Sequence, residues 1–174
     1  MSAPFALGVT GHRPAKLNLD RIGRIAGDIA RVFSAIDARF VERGVICVNS
    51  LAEGADTIAA DAALALGWKI FAPIPFPAGH YARDFPPGRA LEDFRRLMQA
   101  AATVHACTPS RLELRDETEG YIAASAAVGV IPEAHEKVTA SLNSGVPIVL
   151  NGGGEVAKSL MRVGTTLYPP LAQI

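Results

Sequence analysis

Five short apolar runs punctuate the chain: Phe5–Thr10 (FALGVT), Val45–Ser50 (VICVNS), Lys69–Pro75 (KIFAPIP), Thr103–Thr108 (TVHACT) and Val146–Asn151 (VPIVLN). Each is nearly continuous in apolar residues rather than alternating, which is the pattern of strands buried on both faces of a parallel sheet. Between them the period lengthens. Ile22, Ile25, Ile29, Val32, Phe33, Ile36 and Phe40 recur at helical spacing and stop before Gly44, a C-cap residue. Ala55–Leu66 predicts a second, alanine-rich helix suited to close packing on a sheet and closed by Gly67. Arg89–Ala102 predicts a third, with Leu91, Phe94, Leu97, Met98 and Ala101 on one face. Strand and helix alternating in this way predict an α/β fold with a mainly parallel sheet, right-handed crossovers and helices on both faces.

The stretch from Ser110 to Ser144 is less regular. Glu113–Glu119 reads as a charged loop, Tyr121–Val128 as a helix or a strand, and Pro132–Leu142 as a helix. Its small residues around Ile122–Val130 offer a surface for a second copy of the chain, so a homo-oligomer is one expectation. The last ~10 residues, with Tyr168-Pro169-Pro170 among them, read as an irregular tail. No repeat or linker divides the sequence, so residues 1–174 are read as a single domain.

Composition narrows the function. A chain of 174 residues can bury roughly 70% of its unfolded surface, enough for a core without covalent staples. Lys and Arg together number 17 and so do Asp and Glu, a balance that argues against a nucleic-acid partner held by its phosphate backbone. Cys47 and Cys107 each fall in an apolar run and read as small core residues, too few for a metal cluster, so no metal and no resident cofactor are expected. With no signal-peptide pattern and no apolar run near the ~20 residues of a membrane span, the expected location is the cytoplasm, without a membrane partner.

In open parallel sheets ligands bind beyond the carboxyl ends of the strands, where strand order reverses. Thr10-Gly11-His12-Arg13 follows the first strand, Ser50-Leu51-Ala52-Glu53-Gly54-Ala55-Asp56 the second, Phe76 with Tyr81, Arg83 and Asp84 the third, and Asn151-Gly152-Gly153-Gly154-Glu155 the last. Gly11 permits close backbone approach to an anion, and His12 and Arg13 add donors for a phosphate. In the second loop Ser50, Leu51 and the Gly54 backbone would line a phosphate or ribose, with Glu53 or Asp56 accepting from sugar hydroxyls. Plain structural roles stand beside these: a turn at Gly11, a capped backbone group at His12, a solvated charge at Arg13, and a helix cap at Asp56. Gly152, Gly153 and Gly154 would make a phosphate nest or a flexible turn.

The order GVTGHRP, then NSLAEGADTIAADAALALGWKIFAPIPFP, then YARDF resembles the SMF/DprA-LOG (SLOG) superfamily, with its molybdenum-cofactor-carrier-like and YpsA-like domains. The likeness covers roughly residues 5–100. It implies a single-domain Rossmann-like three-layer α/β/α sandwich in which Thr10, Gly11, His12, Arg13, Ser50, Glu53, Gly54 and Asp56 hold a nucleotide-like ligand, with Phe76 and Tyr81 against its base. The cytokinin-activating phosphoribohydrolases of that superfamily carry a PGGxGTxxE signature, of which only glycines and Glu155 are present here, in altered spacing.

The expected function is therefore binding or sensing of a nucleotide-derived small molecule. A first alternative is N-glycosidic hydrolysis of a nucleoside 5′-monophosphate, for which Glu53, Asp56, Asp84 and Glu155 are the candidate acids. A second is a DprA-like DNA-binding module or a molybdenum-cofactor carrier.

Overall fold

The structure, a computed structural model, describes residues 4–14, 22–108 and 117–134, with side chains as far as Val128. Four strands, β1 (Phe5–Val9), β2 (Val45–Asn49), β3 (Lys69–Ile74) and β4 (Thr103–Ala106), form one sheet in the order β1-β2-β3-β4 with every pair parallel. The connecting helices are α1 (Ile22–Arg39), α2 (Ala55–Ala65), a short turn of helix α3 (Ala78–Tyr81) and α4 (Arg89–Ala100). A final helix, α5 (Thr118–Ala134), follows β4. The chain is thus a Rossmann-like α/β/α sandwich. The predicted strand Val146–Asn151, the loop Gly152–Glu155 and the tail lie outside the described residues.

Alternation along the strands decides what covers each face. Phe5, Leu7 and Val9 of β1, Val45 and Cys47 of β2, and Ile70, Ala72 and Ile74 of β3 point to one side, where they meet Ile29 and Phe33 of α1, Ala59, Ala60 and Ala63 of α2, and Phe94 and Leu97 of α4. A chain stepping one way across a parallel sheet by right-handed crossovers puts its connecting helices on one face. Ala59, Ala60 and Ala63 of α2 are fully buried, and their small size lets the helix lie close to the strands between α1 and α4. Trp68 closes one end of this layer, stacked on Phe33 at 4.8 Å with its indole N–H donating to Asp37 at 2.7 Å.

The opposite side carries Ala6 and Val48, with Ile46 and Phe71 at its margin, and is met by Val128 of α5. Tyr121–Val128 is therefore helical, and the helix continues through Pro132 to Ala134. Thr118 and Glu119, expected in a loop, form its first turn. Ala124 and Val128 are buried, so part of the small-residue surface expected to meet a second copy is already covered within the chain, while Ile122 is half exposed.

One further expectation is corrected. β4 is not a doubly buried strand: Thr103, Val104 and His105 are exposed at one end of the described sheet, whereas β1 at the other end is covered by α5. The four described strands also run in sequence order without a reversal. What changes is the winding: after β4 the chain crosses to the other face, and α5 lies chiefly along β1 while reaching β2 and β3.

Candidate functional site

Val9 pairs with Asn49 across the β1–β2 ladder, so the loops leaving these two strands begin side by side. Gly54, at the start of α2, has φ +104°, a conformation that side chains other than glycine rarely adopt. A Cβ there would stand 2.5 Å from the His12 carbonyl oxygen and 3.1 Å from the Arg13 Cα. The next amide, Ala55 N–H, donates to that same carbonyl at 3.1 Å. The His12 backbone thus satisfies one of the orphan donors at the amino end of α2, and the two loops interlock through main chain.

Below this contact lies a buried polar cluster. The Asn49 side chain, fully buried at the last position of β2, accepts Leu51 N–H at 2.7 Å and donates to the Asp56 carbonyl at 3.2 Å. It thereby spans the base of the second loop. Leu51 has φ +59° and a fully buried side chain, a left-handed conformation that costs a non-glycine residue about 1–3 kcal/mol unless its surroundings fix it. The Asn49 bond and the burial of the leucyl group do so. Thr57 adds a hydroxyl bond to the Ala52 carbonyl at 3.0 Å.

Asp56 joins the two loops a second time. Its carboxylate is buried and accepts Ala52 N–H from the second loop at 3.4 Å and the amide of Gly11 from the first. Burial pushes the acid up to about 7, against the pull of those amides and the Arg13 guanidinium toward the charged form. The sequence offered Asp56 as a side-chain cap of its own helix. Instead no side chain caps Gly54, and the carboxylate ties Gly11 to Ala52. Beneath it, burial and the Asp56 charge push the Cys47 thiol up to about 12, leaving a core group with little thiolate.

The third segment, between β3 and α4, closes the other side. Arg13, at the exposed rim, donates from Nη1 to the Asp84 carbonyl at 3.3 Å, and its Nη2 lies 3.8 Å from the Asp84 carboxylate. The Tyr121 hydroxyl of α5 donates to the same carboxylate. Three parts of the chain distant in sequence therefore meet at Asp84.

The candidate residues divide by exposure. Thr10, Gly11, His12, Ser50, Glu53 and Gly54 are partly buried and Arg13 is exposed, while Leu51, Asp56, Phe76 and Tyr81 are buried. Phe76 is covered by α5: a Cβ on Gly120 would stand 2.3 Å from its ring, and the Tyr121 ring meets it edge-on at 5.3 Å. Tyr81 sits edge-on between Phe85 and Phe94, and burial raises its phenol above the ordinary value. In this arrangement both rings serve packing and present no face to a base. Gly152, Gly153, Gly154 and Glu155 lie outside the described residues.

Sequence reasoning passed over Asn49, Gly120 and Tyr121. Asn49 carried a usable signal, being a polar residue inside an otherwise apolar strand. Tyr121 carried none, since its partner Asp84 is 37 residues away. Of the candidate acids that are described, Asp56 is enclosed by amides and Asp84 is engaged with Arg13 and Tyr121, while Glu53 is partly exposed in the second loop. Among the described residues no group of three or more His, Cys, Asp or Glu could hold a metal ion, and no helix is long and apolar enough to cross a membrane. No protein-family model matches the chain, and comparison with curated proteins finds no match.

Proposed function

We propose that the protein binds or senses a nucleotide-derived small molecule, with the phosphate of the ligand over the loops Thr10–Arg13 and Ser50–Gly54. One observation carries the reading: two loops leaving adjacent parallel strands are locked together twice, by Gly54 and Ala55 on the His12 carbonyl and by Asp56 on Gly11 and Ala52, with Arg13 left at their rim. Such preorganisation lowers the cost of ordering backbone donors around an anion. The positive end of α2 at the second loop adds a field of the right sign. The change of winding face that returns the chain to β1 also supports this edge, because open sheets take ligands where the winding changes. The likeness to the SLOG superfamily in GVTGHRP and NSLAEGAD supports a nucleotide over other anions.

In this reading Arg13 and His12 address the phosphate, and Glu53 accepts from ribose hydroxyls. Binding is preferred to N-glycosidic cleavage because Asp56 and Asp84 are already engaged within the protein. The neutral overall charge favours a small ligand over DNA. The test is a thermal-shift screen against nucleoside mono-, di- and triphosphates, nucleotide sugars and cyclic dinucleotides, with each supernatant analysed for free base. Stabilisation without release supports binding, release of base replaces it with hydrolysis, and no shift with any compound refutes the nucleotide reading.

A further inference from the structure

We propose that Asp84 and Tyr121 are the positioning residues for Arg13, holding its guanidinium where a ligand phosphate meets it. The inference rests on the phosphate-binding reading and adds to it a pair of residues from outside the two loops. An arginine on a loop carries substantial rotamer entropy, most of which a ligand must overcome if the side chain is free. Here that side chain is already directed. Nη1 donates to the Asp84 carbonyl and Nη2 faces the Asp84 carboxylate at 3.8 Å, yet 42% of the Arg13 side chain remains exposed. A guanidinium has five N–H donors, so these contacts leave donors for an incoming anion.

Asp84 can direct Arg13 because it is itself fixed. Its side chain is 10% exposed and takes the Tyr121 hydroxyl bond. Tyr121 in turn stands on a helix seated where Gly120 meets the Phe76 ring, and its own ring packs edge-on against Phe76. The geometry forms a relay of contacts from the core beneath α5 to the rim: Phe76 to Tyr121, Tyr121 to Asp84, Asp84 to Arg13. Asp84 would touch no ligand in this role; it acts through the arginine.

Tyr121→Phe tests the relay most cleanly, because it removes one hydroxyl and keeps the ring against Phe76. Inorganic phosphate and the four ribonucleoside 5′-monophosphates are titrated into the wild type, Arg13→Ala, Tyr121→Phe and the double variant, and the melting temperature of each is measured without ligand. Tyr121→Phe is expected to weaken binding about fivefold, the effect of one hydrogen bond, and to have no further effect in the Arg13→Ala background. A purely structural tyrosine would lower ligand-free stability and weaken binding by the same factor in both backgrounds, which overturns the proposal. Unchanged affinity in Tyr121→Phe, with Arg13→Ala still weakened, overturns the positioning role alone. Failure of the wild type to bind any of these probes overturns the phosphate reading and this inference with it.

Discussion

Gly54 faces the His12 carbonyl oxygen so closely that a Cβ would lie 2.5 Å from it, while the next amide, Ala55 N–H, donates to that oxygen at 3.1 Å. Both the positive φ and the missing side chain are therefore required at one point. Gly54→Ala is expected to destabilise the fold by roughly 2 kcal/mol or more, since a strained left-handed residue and a backbone clash coincide. Urea unfolding measures this, and a variant as stable as the wild type would remove the loop junction from the account.

Gly120 raises the same question in a helix. Its Cβ would stand 2.3 Å from Cε1 of the buried Phe76, so Gly120→Ala should cost about 1–3 kcal/mol through overpacking, although alanine is the better helix former by about 1 kcal/mol. In a Phe76→Leu background the clash is relieved and the same substitution should become neutral or stabilising. A double-mutant cycle from denaturant midpoints distinguishes this from an effect of Gly120 on α5 alone, which would be equal in both backgrounds.

Asp56 predicts a pH dependence of stability. Its acid ordinarily titrates at 3.8 and is pushed up to about 7 by burial in the fold, so between these values the folded chain holds a proton that the unfolded chain has released. The contribution of Asp56 is complete below about pH 4 and is lost as the pH rises through about 7. Unfolding free energy should fall by roughly 2 kcal/mol from this group between about pH 5 and pH 8. Asp56→Asn should abolish that part of the slope. An identical slope in wild type and variant would show that the loss arises elsewhere.

Glu53 separates sugar from phosphate. If it accepts from ribose hydroxyls, Glu53→Gln should weaken nucleoside monophosphates several-fold, by about one hydrogen bond to a charged group, and leave inorganic phosphate unchanged. Equal weakening of both would assign Glu53 to the loop fold.

What the sequence revealed follows from the range of each interaction. The strands were legible because both faces of a parallel sheet are covered, leaving apolar runs such as VICVN, and α1 because Ile29 and Phe33 recur on one stripe. The two loops were legible because glycine and polar residues interrupt those runs at strand ends. Asn49 stood out as a polar residue in an apolar strand, but its bonds to Leu51 and Asp56 depend on how the following loop folds back, which the local pattern does not show. Phe76 and Tyr81 lie in the right segment for a base, yet whether a ring faces a cleft or a core depends on α5 and on Phe85 and Phe94. The place of β4 at the end of the described sheet likewise depends on strand order, which local pattern does not encode.

The central claim is that the interlocked loops hold a nucleotide phosphate through Arg13. The most direct test is titration of nucleoside 5′-monophosphates into the wild type and Arg13→Ala, read as thermal stabilisation. At 100 times its dissociation constant a ligand of the folded state should add about 2.7 kcal/mol. This shift is expected for the wild type, with at least about tenfold weaker binding for Arg13→Ala through the loss of a charge-assisted contact. Equal stabilisation of both proteins, or of neither, would contradict the claim.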